Sequence, residues 1–283
     1  MTRPCPGARA VTSRPHWQPP ANSTDCHMHI FGPYDRYPLS PGRGYTPPEA
    51  SVADYQAMCA AIGVSRTVIV QPSVYGTDNA VLLEALSAHP DQLRGIVVIP
   101  AETSKAEFQS LDALGVRGVR INLRNKAGIG LDALTTLAPK IRALDWHVQF
   151  QIGPEAIATV AELVETHALT GVIDHLAFMA LDPAGADLLQ LQRALDAGRI
   201  LVKISAPYRL RDTDNHDGYR AVIARLAANH ADRLLWASDW PHTELFDTMP
   251  SEAEIVDLSL AALPADTQDR VFRRNPHQLY WSH

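Results

Sequence analysis

Two histidines separated by one residue, His27 and His29 in the run Ser23-Thr-Asp-Cys-His-Met-His-Ile30, open the chemistry of this chain. The run reads as a strand, and in a strand residues two apart point to the same side, so both imidazoles face one space. Imidazole can ligate a metal, move a proton or donate a hydrogen bond. A strand with a polar solvent face shows the same alternation, so the pair gains meaning only from its company. That company is Ile173-Asp-His175 and Ser238-Asp-Trp-Pro-His242, each closing another short apolar run. Taken singly, His175 could be a core histidine bound to a backbone carbonyl, and Asp239 could cap a helix. Taken together, His27, His29, His175 and Asp239 at the ends of separate strands form a set that solvent-facing alternation does not explain.

The elements that must position these residues are short β-branched runs alternating with amphipathic stretches. Strands are expected over Thr24–Ile30, Arg66–Gln71, Leu93–Ile99, Val116–Asn122, His147–Ile152, Gly171–His175, Ile200–Ser205 and Leu234–Ser238. Helices are expected over Val52–Ile62, Asn79–His89, Lys105–Leu114, Leu131–Leu144, Pro154–His167, Gly185–Ala197, Gly218–Asn229 and Glu252–Leu263. Gly63, Gly115 and Gly198 supply left-handed helix stops, and Pro154 suits a first helical turn. Eight strands each followed by a helix predict a (β/α)8 TIM barrel. The rival, an open doubly wound sheet, wants a glycine-rich phosphate loop after its first strand, and His-Met-His-Ile-Phe-Gly is no such loop. In a barrel the suspicious residues gather at the carboxyl ends of the strands, where catalytic groups sit. The insert from Phe31 to Ala50 would lie over the same mouth.

Bulk properties narrow the field. A chain of 283 residues can bury a full core, and 46% apolar with 20% charged residues is ordinary for a globular enzyme. A net charge of −6 without a basic block argues against nucleic acid. Three scattered cysteines, Cys5, Cys26 and Cys59, suit a reducing compartment rather than a disulfide framework. Residues 1–22 lack the apolar centre of a secretory signal and are expected to form a loosely ordered lead-in, with residues 23–283 as a single barrel domain. No run reaches the length of a membrane span. The expected setting is cytoplasmic, without a membrane partner, and homo-oligomers remain open.

The motif His27-Met-His29, His175 and Ser238-Asp-Trp-Pro-His242 resemble the amidohydrolase superfamily. Within it, Asp25-Cys-His-Met-His-Ile-Phe31, Gln71-Pro-Ser73, Gly118-Val-Arg-Ile-Asn122, Lys203-Ile-Ser-Ala-Pro-Tyr-Arg209 and Asn275-Pro…Leu279-Tyr280 resemble the 2-pyrone-4,6-dicarboxylate lactonase family. The similarity spans roughly Asp25 to Tyr280. Metal-dependent relatives place a further histidine on strand five and often a lysine or glutamate on strand four. Here the carboxyl end of strand five holds Gln151, His147 lies at its opposite end, and strand four offers Arg120, which would repel a divalent ion. His27, His29, His175 and Asp239 could still hold zinc or manganese. The departure and the resemblance together imply that no cofactor is needed.

Opening a lactone needs a nucleophilic water, a polarised carbonyl and a proton for the leaving oxygen. Asp239 is the expected base, and His27, His29 and His175 the groups that stabilise the developing oxyanion. Arg120 ends strand four, Arg124 and Lys126 follow in its loop, Arg209 follows strand seven, and all four are expected to bind substrate carboxylates. Tyr45, Ser73 and Gln151 are expected to add polar contacts, and His242 to support the aspartate or the leaving group. The expected activity is hydrolysis of a small anionic lactone, a dicarboxylate such as 2-pyrone-4,6-dicarboxylate. Alternatives are a sugar-acid lactone isomerase or lactonase, a decarboxylase, a zinc-dependent lactonase, and a silent barrel that binds an organic acid.

Overall fold

In the computed structural model, which describes residues 3–124 and 129–282, eight parallel strands lie in sequence order around one sheet. They are β1 (Thr24–Met28), β2 (Arg66–Val70), β3 (Leu93–Val97), β4 (Val116–Asn122), β5 (His147–Gln151), β6 (Thr170–Ile173), β7 (Ile200–Ser205) and β8 (Leu234–Ala237). The outer helices are α1 (Val52–Ile62), α2 (Ala80–Ala88), α3 (Lys105–Ala113), α4 (Leu134–Ala143), α5 (Ile157–Thr166), α6 (Ala186–Asp196), α7 (His216–His230) and α8 (Glu252–Ala262). Two short helices, α9 (Ala265–Asp269) and α10 (Asn275–Tyr280), follow; the sequence pattern did not separate them from the tail. The expected (β/α)8 barrel is thus the observed one. Several strands stop a residue or two early because their last expected residues turn into the loops of the mouth.

The seam between β1 and β8 closes the barrel through the residues of the suspected site. Asp239 N–H donates to His27 O at 2.9 Å, and His29 N–H donates to Trp240 O at 2.9 Å. Beneath them the buried Asp25 carboxylate accepts from Ser238 N–H at 3.0 Å, from the Ser238 hydroxyl, and from Tyr55 of α1 at 2.8 Å. Helix ends are locally encoded. Ser51 and Asp54 form a reciprocal capping box on α1, and Gly63 ends it at φ 82°, a conformation costly for a residue with a Cβ.

Two apolar layers hold the barrel. The larger packs outward strand residues such as Val119, Ile121, Phe150, Ile204 and Trp236 against the helices. A smaller cluster within the strands joins Cys26, Val68, Val70, Ile96, Val172, Leu201, Leu235 and Ala237, with Tyr280 of α10 against it. Stepping two residues along several strands from this inner floor leads to polar groups: Leu201 to Lys203, Val172 to Asp174, Ala237 to Asp239. The interior therefore runs from apolar at one end to polar at the mouth. Residues 3–22 cross the outside near the mouth: Cys5 is buried and donates its N–H to Thr46 O at 2.7 Å, while Asp257 of α8 accepts from His16 and Trp17 N–H.

Strand spacing beside the site is tight. A Cβ on Gly118, two residues before Arg120 in β4, would stand 2.7 Å from the His147 carbonyl oxygen of β5. Gly118→Ala should therefore cost about 1–3 kcal/mol in a denaturant titration. An unchanged midpoint would mean that the β4–β5 pair yields more freely than this contact allows.

Candidate active site

Asp239 sits at the centre of the mouth. It leaves β8 at φ 64°, in the left-handed region, and His175 leaves β6 likewise at φ 49°; both turns direct side chains back over the barrel axis. Asp239 Oδ1 lies 3.6 Å from His175 Nε2, 3.8 Å from His27 Nε2 and 3.9 Å from His29 Nε2. The two β1 histidines face each other, Nε2 to Nε2, at 3.3 Å. Asp239 Oδ2 is held from the other side by Arg209 Nε at 2.5 Å and by the Tyr208 hydroxyl at 2.8 Å. One oxygen is thus anchored and the other presented to the histidines.

The electrostatics follow from burial. Burial holds His29 down at about 3, helped by the charge of Arg120, and His175 at about 4. Burial likewise takes His27 well below its ordinary range. All three are neutral at neutral pH. Burial alone would raise Asp239, but the adjacent Arg209 guanidinium outweighs it and holds the carboxyl well below the usual range. An ionised carboxylate amid neutral imidazoles can take a proton from water, and His27 and His175 can donate to what enters, whereas His29, expected to do the same, spends its N–H on Val70 O at 2.7 Å and presents a lone pair.

The other expected residues divide. Tyr45 and Ser73 are buried at the mouth and line the same cavity as Thr243. Arg120 donates through Nη1 to Gln71 O at 2.8 Å and through Nη2 to Gln151 Oε1, while its buried Nε has no partner among the described residues. Arg209 spends Nε on Asp239 and Nη2 on Thr243 O at 2.8 Å, so it anchors the carboxylate. Arg124 is exposed, its guanidinium stacked 4.0 Å over the ring of Phe178. His242 stands behind Asp239, bridging the Tyr208 hydroxyl at 2.7 Å and Glu252 of α8 at 2.9 Å. Lys126 lies outside the described residues.

The sequence reading passed over a second tier below the mouth. Lys203 of β7 is fully buried and reaches Gln149 Oε1 at 2.7 Å and Asp174 Oδ1 at 3.1 Å. Tyr208 and Glu252 were also missed. A lysine inside Ile-Leu-Val-Lys-Ile-Ser, and an aspartate directly before His175, were the available signals.

The cavity enclosed by His29, Tyr45, Arg120, His175, Asp239 and Glu244 is only about 20 Å³. That is room for about one water, so a ring substrate requires the loops carrying Tyr45 and Glu244 to part. A larger cavity of about 780 Å³ lies beside it against α8, and Glu244 lines both. The donor set also suits a divalent ion: His27, His175 and Asp239 bring ligand atoms within 4.8 Å of one another, and the Nε2 spacing of the β1 pair matches a zinc tetrahedron. Among the described residues no helix is long and apolar enough to cross a membrane.

Comparison with known proteins shows the family. The family model described as amidohydrolase matches residues 24–281. A 2-pyrone-4,6-dicarboxylate hydrolase of Comamonas testosteroni is 32% identical over 96% of this chain and 94% of its own. A 4-sulfomuconolactone hydrolase of Rhizobium radiobacter is 30% identical over 98% of this chain and 96% of its own. The crystal structure of a Pseudomonas putida protein superimposes with a TM-score of 0.81 at 30% identity, covering 92% and 98% of the two chains.

The depressed histidines tie stability to pH. Unfolded, His29 and His175 bind protons near pH 6.5; folded, they resist until about 3 and about 4. Their contribution is complete above pH 6.5 and is lost as pH falls toward 4, at up to about 1.4 kcal/mol per pH unit for each histidine. Urea midpoints measured from pH 7.5 to 5 should therefore drop on the acid side, and less steeply in His175→Gln. A flat profile would show that these imidazoles are not buried neutral.

Proposed function

The chain belongs to the amidohydrolase family and is an enzyme, and we propose that it hydrolyses the lactone ring of a small dicarboxylated substrate of the 2-pyrone-4,6-dicarboxylate kind. The observation that carries this reading is the divided Asp239 carboxylate, with Oδ2 anchored by Arg209 and Tyr208 and Oδ1 open to the three imidazoles. Resemblance in sequence to two lactone hydrolases over nearly the whole chain supports it.

In the proposed reaction a water beside Asp239 Oδ1 loses a proton to the carboxylate as its oxygen attacks the lactone carbonyl. The carbonyl oxygen gains negative charge, and His27 and His175 donate to it from an enclosed, poorly solvated site. Collapse breaks the ring C–O bond, and the proton held by Asp239 passes to the leaving oxygen. Arg120, which lines the cavity and whose buried Nε has no partner among the described residues, binds a substrate carboxylate; Ser73 and Tyr45 orient the ring. Arg209 acts on the reaction through Asp239, fixing the carboxylate's position and keeping it ionised. His27, His29, His175 and Asp239 are the residues that would hold a divalent ion, and such an ion would supply Lewis acidity to the carbonyl. The proposed reaction uses imidazole donors and guanidinium charge for that purpose, since a lactone carbonyl is more electrophilic than an amide.

Three measurements test this. Asp239→Asn preserves shape and removes the base, so kcat should fall by about two to four orders of magnitude; near-normal turnover by a folded variant would remove Asp239 from the mechanism. Arg120→Met should lower kcat/KM for a dicarboxylated lactone by about 2–4 kcal/mol of transition-state binding, with partial rescue by Arg120→Lys. A neutral lactone should be a poor substrate of the wild type and no poorer for the variant; equal turnover of neutral and charged lactones would refute the assignment. Activity should survive prolonged chelation, and loss on stripping with recovery on adding zinc would replace this mechanism with a metal-dependent one.

A further inference from the structure

We infer that Lys203 is a positioning residue that keeps the proton of His27 on Nε2, making that imidazole a hydrogen-bond donor to the mouth and a poor metal ligand. The inference deepens the proposed reaction and rests on it for the use made of the donor. Its structural basis is a count of donors and acceptors in the buried tier beneath the site.

Begin with His29. Its Nδ1 lies 2.7 Å from the Val70 carbonyl oxygen, which can only accept, so Nδ1 carries the proton and Nε2 a lone pair. His27 Nε2 faces that lone pair at 3.3 Å. The contact is attractive only when His27 carries its own proton on Nε2, and repulsive when two lone pairs meet.

The opposite side of His27 leads to the same tautomer. Its Nδ1 has three neighbours: Lys203 Nζ at 3.2 Å, Gln149 Nε2 at 3.3 Å and Asp174 Oδ1 at 3.2 Å. The Gln149 amide is oriented by its other partners, with Oε1 accepting from Lys203 at 2.7 Å and Nε2 donating to Asp174 Oδ2 at 3.0 Å. Lys203 has three protons and no lone pair. Two go to Gln149 Oε1 and Asp174 Oδ1, and the third has His27 Nδ1 as its acceptor. Asp174 meanwhile has a donor at each oxygen without any help from His27. A proton on Nδ1 would satisfy a carboxylate already served and would set an N–H against two donors. A proton on Nε2 satisfies every group in the tier.

The arrangement differs from that of a ligating histidine, which donates its remote N–H to a carboxylate or carbonyl and turns a lone pair to the metal. His29 has that form. His27 has a carboxylate within reach, but Lys203 takes the place that would make it a ligand. The single lysine thus bears on whether the mouth favours an oxyanion or a cation.

The test reads the tautomer directly, without substrate. Long-range 15N–1H correlation spectra of the full chain, labelled on histidine nitrogen, should show His27 with protonated Nε2 and bare Nδ1, and His29 the reverse; His27→Gln assigns the signals. In Lys203→Met, Asp174 Oδ1 loses its donor, His27 should move its proton to Nδ1, and zinc affinity measured by titration should rise at least tenfold over the wild type. A wild-type spectrum with His27 protonated on Nδ1 overturns the inference, whether or not the variant folds. So does a folded Lys203→Met with the tautomer and zinc affinity both unchanged. Failure of every lactone in a turnover panel would sink the proposed reaction and leave the tautomer result standing.

Discussion

The closure of the barrel between β1 and β8 is the constraint on which the site depends. The hydrogen bonds that join these strands run from Asp239 to His27 and from His29 to Trp240, so the backbone of the reactive residues is itself the seam. Asp25 reinforces it from beneath by binding the backbone and hydroxyl of Ser238 while taking a third hydrogen bond from Tyr55 of α1. Burial raises the Asp25 carboxyl above its usual range despite these donors, a sign of how far the clamp lies from solvent. Fixing the seam fixes the relation between a carboxylate from one end of the chain and two imidazoles from the other, at separations that flexible loops could not hold.

Polarity graded along the barrel axis then gives each tier its role. The inner floor is apolar and packs like any core. The middle tier is charged but internally matched: Asp174 with Lys203, and Gln149 bridging both. The top tier has Asp239 matched by Arg209 and three imidazoles kept neutral by burial. A buried ion pair gives little net stability over an apolar replacement, and losing one partner is costly. Two such pairs stacked beneath and beside the mouth therefore point to geometric control of the groups above rather than to stability.

The sequence made the barrel legible because two periodicities coincide. Helices carry their own stop signals at Gly63, Gly115 and Gly198, all three at positive φ, and strands are apolar enough to stand out between them. Its view of the site was partial for a physical reason. His27, His29, His175 and Asp239 announce themselves as titratable groups at strand ends. Lys203 and Gln149 lie inside strands, where outward neighbours such as Val202, Ile204, Val148 and Phe150 give the run the look of core. Position alone placed Arg209 at the mouth but assigned it to a substrate carboxylate, whereas its partner is Asp239, because whether a guanidinium faces a substrate or a neighbouring carboxylate depends on the loop that carries Tyr208. Following every second residue from the apolar floor upward would have found the middle tier; no local pattern reveals Glu252, which reaches the site only through His242 and Tyr208.

The balance of charge gives a reason for an anionic substrate that is independent of family. Arg209 is matched by Asp239 and Lys203 by Asp174, whereas Arg120 rests on two neutral oxygens, from Gln71 and Gln151, with Asp174 no nearer than 3.8 Å. Among these buried groups Arg120 is the cation whose charge is least compensated, and burial lowers its pKa, which records the cost of keeping it charged there. A carboxylate arriving beside it would recover solvation that folding removed, at a point already shielded from water. A divalent ion arriving at the same mouth would meet the Arg120 guanidinium within a low-dielectric pocket, where like charges repel more strongly than in water. In the proposed reaction the arginine that would bind a carboxylate would thus also disfavour a metal.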